Sequence, residues 1–93
     1  MEMNLGGERL LHAGRASVAA EVRAELARSG RSAADLTRAT SRSQAYWSRR
    51  LTGKVAMDTD DLDEVAKIVG IGADELLRRA RDRSAAPTPG SPS

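Results

Sequence analysis

Residues 32–54 read Ser32-Ala-Ala-Asp-Leu-Thr-Arg-Ala-Thr-Ser-Arg-Ser-Gln-Ala-Tyr-Trp-Ser-Arg-Arg-Leu-Thr-Gly-Lys54, and this stretch decides the fold. It reads as two short helices joined by a tight turn. Ser32 stands where an N-cap is needed, and Asp35 three residues on completes an acidic variant of the capping box. Leu36 and Ala39 give the first of these helices an apolar side, after which Thr40-Ser41-Arg42 breaks the pattern. Ser43 offers a second N-cap. Trp47 and Leu51, four residues apart, give the helix that follows a face to bury, and Gly53 supplies its stop. Away from that face stand Gln44, Ser48 and Arg49, hydrogen-bonding side chains of the kind that read base edges. Arg42, Arg50 and Lys54 flank them as candidate phosphate contacts, and no acidic residue lies between Thr37 and Met57.

Working outward, the 93-residue chain supports one domain with a small core. Phenylalanine is absent and Tyr46 and Trp47 are the only aromatic residues, so Leu, Val, Ile and Ala must build that core, which suits helices that approach closely. The lack of cysteine excludes disulfides and thiolate metal sites, and a single histidine, His12, excludes a multi-histidine site within one chain. The carboxylates of Asp58–Glu64 lack the glycine and the terminal Glu of a calcium loop and are read as helix-dipole caps. No pairing of nucleophile, histidine and carboxylate suggests catalysis, so neither an enzyme nor a cofactor is expected, and no small-molecule substrate. No run approaches a membrane span, and Leu10–Ala20 is broken by His12 and Arg15, so a cytoplasmic location is expected.

The net charge of +2 conceals an asymmetry. Residues 1–55 hold ten Lys/Arg against five Asp/Glu, and residues 56–93 hold five against eight. A basic half joined to an acidic half suits a molecule that offers one face to a polyanion.

Periodicity predicts an all-α domain over residues 15–83, between a flexible arm (1–14) and a disordered Ser/Ala/Pro/Gly tail (84–93). Five helices are expected. The first spans about Ser17 to Ser29 with Val18, Val22 and Leu26 on one stripe; the second and third are the pair described above. The fourth starts after Asp58 or Thr59 and carries Leu62, Val65, Ala66 and Val69 at i, i+3, i+4, i+7, with Gly70 closing it. The fifth begins near Ala73 and carries Leu76 and Leu77. Its arginines, Arg78, Arg79, Arg81 and Arg83, read as a solvated helix end suited to the dipole.

In order and spacing, Ser43–Lys54 together with Leu62–Ile71 resembles the lambda-repressor/Cro-like (XRE-type) helix-turn-helix family, in particular small repressors of actinobacterial phages and prophages. The resemblance covers about residues 17–77. It implies a compact five-helix DNA-binding domain, with the helix-turn-helix at helices 2 and 3 and helix 3 in the major groove of operator DNA. Carried over by position, it implies base reading by Gln44, Ala45, Ser48 and Arg49, with Ala45 limited to packing on a thymine methyl. Phosphate contacts are implied for Arg42, Ser43, Tyr46, Arg50 and Lys54. Tyr46 has a second reading as a ring covering the domain surface, and Arg42 and Arg50 as members of surface ion pairs.

The chain departs from the family pattern at Thr37 and Ser41, where smaller residues are usual, at Arg42, where the turn usually carries an apolar plug, and at Ala33, where many relatives carry a phosphate-binding Gln. The resulting expectation is a sequence-specific regulator of transcription, acting by operator occupancy on double-stranded DNA, as a monomer or as a homodimer built on Leu77 or the arms. Competing expectations are an antitoxin-type autoregulator, with Leu5–Leu11 as the toxin-binding segment, a recombination directionality factor, and a protein-interaction module that does not bind DNA.

Overall fold

Three capping residues and three glycines divide the chain into helices. The computed structural model describes residues 14–85 and contains α1 (Arg15–Arg28), α2 (Ala33–Ala39), α3 (Gln44–Leu51), α4 (Thr59–Val69) and α5 (Ala73–Ala85), with no strand among the described residues. The protein is a compact all-helical domain. The N-terminal arm through residue 13, with Leu5–Leu11 and His12, and the tail from residue 86 lie outside the described residues. Ser84 and Ala85, assigned to that tail by composition, are the last residues of α5 instead. Ser84 Oγ meets Ser17 Oγ at 2.6 Å, a contact that ties this end of α5 to the start of α1.

Each expected cap forms. The Asp35 carboxylate accepts the Ser32 backbone N–H (2.7 Å), and Ser43 Oγ accepts the Tyr46 N–H (3.0 Å). Asp58 and Asp61 exchange reciprocal bonds: Asp61 N–H donates to Asp58 Oδ1 (2.8 Å) and Asp58 N–H to Asp61 Oδ2 (3.1 Å). Such boxes satisfy backbone donors that the first turn leaves unpaired. Gly70, at φ 83°, ends α4 in the left-handed conformation that a side chain would oppose.

One core receives a stripe from every helix: Val18, Val22 and Leu26 from α1, Leu36 from α2, Trp47 and Leu51 from α3, Leu62 and Val65 from α4, Leu76 and Ala80 from α5. Trp47 and Leu36 are fully buried, and each such side chain contributes about 1.5–3 kcal/mol on burial. Ala39, expected on the apolar side of α2, is exposed; Ala33 at the other end of that short helix packs against the core in its place. Leu77 is half-buried and also packs on the core.

α1 and α5 lie side by side, and their seam is charged. Glu21 and Glu25 on α1 are almost wholly buried. Arg28 reaches both, Arg79 Nη1 meets Glu25 Oε2 at 2.6 Å, and Arg83 Nη2 meets Glu21 Oε1 at 3.0 Å. Two of the arginines read as a solvated helix end therefore cross to α1. Arg78 stays on its own helix, bonded to Glu75 and Asp82. The Arg28 guanidinium is the main cause that holds the Glu25 carboxyl down at about 2, against the opposing effect of burial, with Glu21 and Arg79 adding to the lowering.

Candidate nucleic-acid interface

α2 and α3 are joined by Thr40–Ser43, and one hydroxyl organises the turn. Thr40 Oγ1 donates to the Leu36 carbonyl (2.7 Å) while accepting the buried Trp47 Nε1–H (3.0 Å) and the Arg42 N–H (3.3 Å). A buried indole N–H left without an acceptor costs free energy, so Thr40 both ends α2 and fixes the ring on which α3 is seated.

The far end of α3 is fastened to α1. Arg23 donates to the Leu51 carbonyl, and Arg15 Nη1 to the Lys54 carbonyl at 3.4 Å. Gly53 has φ 80°, and a Cβ there would stand 3.3 Å from the Ala16 Cα. The left-handed backbone favours glycine at this position, and the close approach of Ala16 leaves little room for a side chain. α3 is thus held at both ends with one face turned away from the domain.

That face carries Gln44, Ala45, Ser48 and Arg49, all exposed, while Trp47 and Leu51 are buried behind it. The side chains that sequence reasoning assigned to base reading share the outer surface of a single eight-residue helix. Ser43 and Lys54, exposed at its two ends, bracket it. Ser43 Oγ accepts a bond from the Tyr46 N–H and keeps its own proton for an acceptor outside. Arg42 lies with its Cζ 4.6 Å from the centre of the Tyr46 ring. No carboxylate among the described residues comes within ion-pair distance of Arg42, Arg49 or Lys54.

Tyr46 and Arg50 occupy a different position. Both are half-buried on the flank of α3, with their side chains on Asp61 of α4. The Tyr46 hydroxyl donates to Asp61 Oδ1 (2.5 Å) and Arg50 Nε to Asp61 Oδ2 (2.9 Å), while Arg50 Nη1 reaches the Tyr46 carbonyl (3.3 Å). The Arg50 Cζ lies 3.6 Å from the centre of the Tyr46 ring, which in turn meets Trp47 edge-on at 5.4 Å. Asp61 is fully buried. Burial pushes its carboxyl upward, but the Tyr46 hydroxyl, the Asp58 backbone N–H and the Arg50 guanidinium outweigh that effect and hold it below the usual range. Burial, and then the Asp61 carboxylate, pushes the Tyr46 phenol above its ordinary value.

Tyr46 and Arg50, expected either at phosphates or covering the domain surface and in an ion pair, are both engaged by Asp61 in the folded chain. The physical reason is that a buried carboxylate needs partners more than a solvated phosphate does. Asp61 is the residue that sequence reasoning missed; it stood inside an acidic run explained by the helix dipole. A signal was available in the i, i+4 spacing of Tyr46 and Arg50 beside the Trp47/Leu51 stripe, which sets both on one flank.

Comparison with protein-family models, curated proteins and solved structures finds no match to this chain. No helix among the described residues is long and apolar enough to cross a membrane.

Proposed function

We propose that this protein binds duplex DNA in a sequence-specific manner, laying α3 in the major groove, and regulates transcription by occupying an operator. One observation carries the reading. Gln44, Ala45, Ser48 and Arg49 form an exposed, carboxylate-free face on a helix that is anchored behind by Trp47 and Leu51 and pinned at both ends. Gln and Arg can each make two hydrogen bonds to a base edge, Ser one, and Ala45 leaves room for a thymine methyl. Arg42, Ser43 and Lys54 supply phosphate contacts around this face and release counterions on binding. An α-helix fits the major groove of B-form DNA, and the exposed outer face of α3, the second helix of the pair, supports docking in the helix-turn-helix mode. The reading assigns no catalysis and no cofactor, and the resemblance to phage and prophage repressors implies action in the cytoplasm of a bacterial host.

Selection of fragments from the source genome by the purified protein at physiological salt tests the reading. Enrichment of an inverted repeat with half-sites about one helical turn apart establishes a dimeric operator binder, and a single asymmetric site a monomeric one. No enrichment, with retention that vanishes in modest salt, refutes sequence-specific binding and leaves a protein-interaction module.

A further inference from the structure

The proposed reading face has five cations within or beside it, counting Arg38 of α2 with Arg42, Arg49, Arg50 and Lys54, yet they are not equivalent. Arg38 is paired with Asp35 on its own helix. The Arg50 side chain is 15% exposed and the Asp61 side chain that receives it not at all. Arg42, Arg49 and Lys54 have no such partner among the described residues. We propose that Asp61 is a positioning residue of the DNA-reading face: it holds Tyr46 and Arg50 of α3 against α4, withholds Arg50 from the phosphates, and so selects Arg42, Arg49 and Lys54 as the cations that meet the duplex. This inference rests on the DNA-binding reading and deepens it.

The geometry favours orientation over charge alone. Asp61 fixes the start of α4 through its box with Asp58 and simultaneously takes one bond from each of two consecutive turns of α3. Two bonds four residues apart resist rotation of α3 about its own axis, which one bond would not. Rotation matters because it sets which side chains face the groove. The Tyr46 ring lies beside Arg50 as a plate whose hydroxyl is committed to the same carboxylate. Were Asp61 neutral, Arg50 would lose its charged partner and swing outward, adding a cation that attracts any duplex regardless of sequence.

The test measures how the affinity of the full chain depends on salt, using a random-sequence duplex and the genome-selected site for three proteins: wild type, Asp61→Asn, and the double variant Arg50→Met/Asp61→Asn. The double variant removes both charges together and so avoids leaving a buried carboxylate unpaired. Circular dichroism melts establish that each protein is folded. If Asp61 withholds Arg50, then Asp61→Asn steepens the salt dependence by about one counterion and narrows the preference for the selected site. The double variant returns the slope to the wild-type value.

Tyr46 is the only tyrosine, so its alkaline absorbance titration reports the clamp without DNA, moving down toward the ordinary value in Asp61→Asn. A slope unchanged in Asp61→Asn and shallower by about one in the double variant means that Arg50 touches phosphate in the wild type, and overturns the inference while leaving the DNA-binding reading intact. A tyrosine titration unaffected by Asp61→Asn also overturns it. Absence of any duplex binding by the wild type overturns the reading itself.

Discussion

Replacing Glu25 by Gln removes a buried charge from the α1–α5 seam with little change of shape, and the consequence is set by pH. In the folded protein this carboxyl is held at about 2, against 4.5 for the free side chain. Between those values the unfolded chain takes up a proton that the native state refuses. The ion pair therefore contributes stability in full above about pH 4.5 and loses it as pH falls through about 2. The interval corresponds to at most about 3 kcal/mol. Arg28 and Arg79 are 57% and 38% exposed, so water screens part of their attraction and about 2 kcal/mol is the expected net effect. Trp47, the only tryptophan and fully buried, reports unfolding through its emission. Denaturant melts of wild type and Glu25→Gln at pH 7 should differ by about 2 kcal/mol, and the difference should shrink toward zero near pH 2. Other lowered carboxylates, Asp61 and Asp35 among them, weaken both proteins in acid alike and cancel in the comparison. A difference that stays constant from pH 7 to pH 2, or none at neutral pH, refutes the assignment of Glu25 as an ionised tie between α1 and α5.

Three further outcomes follow from named contacts. Arg49→Ala should weaken binding to the selected DNA site by about 1–3 kcal/mol and relax the base preference, measured by fluorescence anisotropy against a panel of single-base changes; an unaltered preference would mean that the reading face is elsewhere. Lys54→Ala should weaken all duplexes alike and lower the salt slope by about one, read in the same assay over a salt series. Thr40→Val removes the acceptor of the buried Trp47 N–H and should cost about 1–3 kcal/mol of stability by denaturant melting, with a shifted tryptophan emission; a neutral result would show that the indole finds another partner.

The helices were legible in the sequence because local chemistry decides them. Asp35, Ser43 and Asp58 accept backbone donors within three residues of themselves, and the stripe Leu62, Val65, Ala66, Val69 needs no knowledge of its partner helix to be recognised. The outer face of α3 followed from the stripe, since Trp47 and Leu51 must turn inward and leave Gln44, Ser48 and Arg49 outside, while Ala45 came from the family resemblance. Ala39 was misjudged because a seven-residue helix offers the core barely two turns, and Leu36 with Ala33 already fills its share. Arg79 and Arg83, expected at a solvated helix end, differ for another reason: their partners, Glu25 and Glu21, lie more than fifty residues away in the chain.

The two pairings that escaped the sequence have the same form. Glu21 and Glu25 each stand one residue before a member of the α1 stripe, Val22 and Leu26; Tyr46 and Arg50 each stand one residue before a member of the α3 stripe, Trp47 and Leu51. An offset of one residue turns a side chain about 100° around the helix, to the border between core and solvent. At that border a polar residue is neither plainly inside nor plainly outside, and its fate depends on what the neighbouring helix presents. On α1 the neighbour presents Arg79 and Arg83, so two carboxylates are drawn in; on α3 it presents Asp61, so a tyrosine and an arginine are drawn in. Because charge at the border is neutralised from within in both cases, the cations of α3 left for an outside partner are those farthest from the stripe. Under the proposed DNA-binding reading, Arg49, on the outer surface of α3, is the position at which to alter base preference, and Arg50, its immediate neighbour, the position at which to alter the seating of the helix.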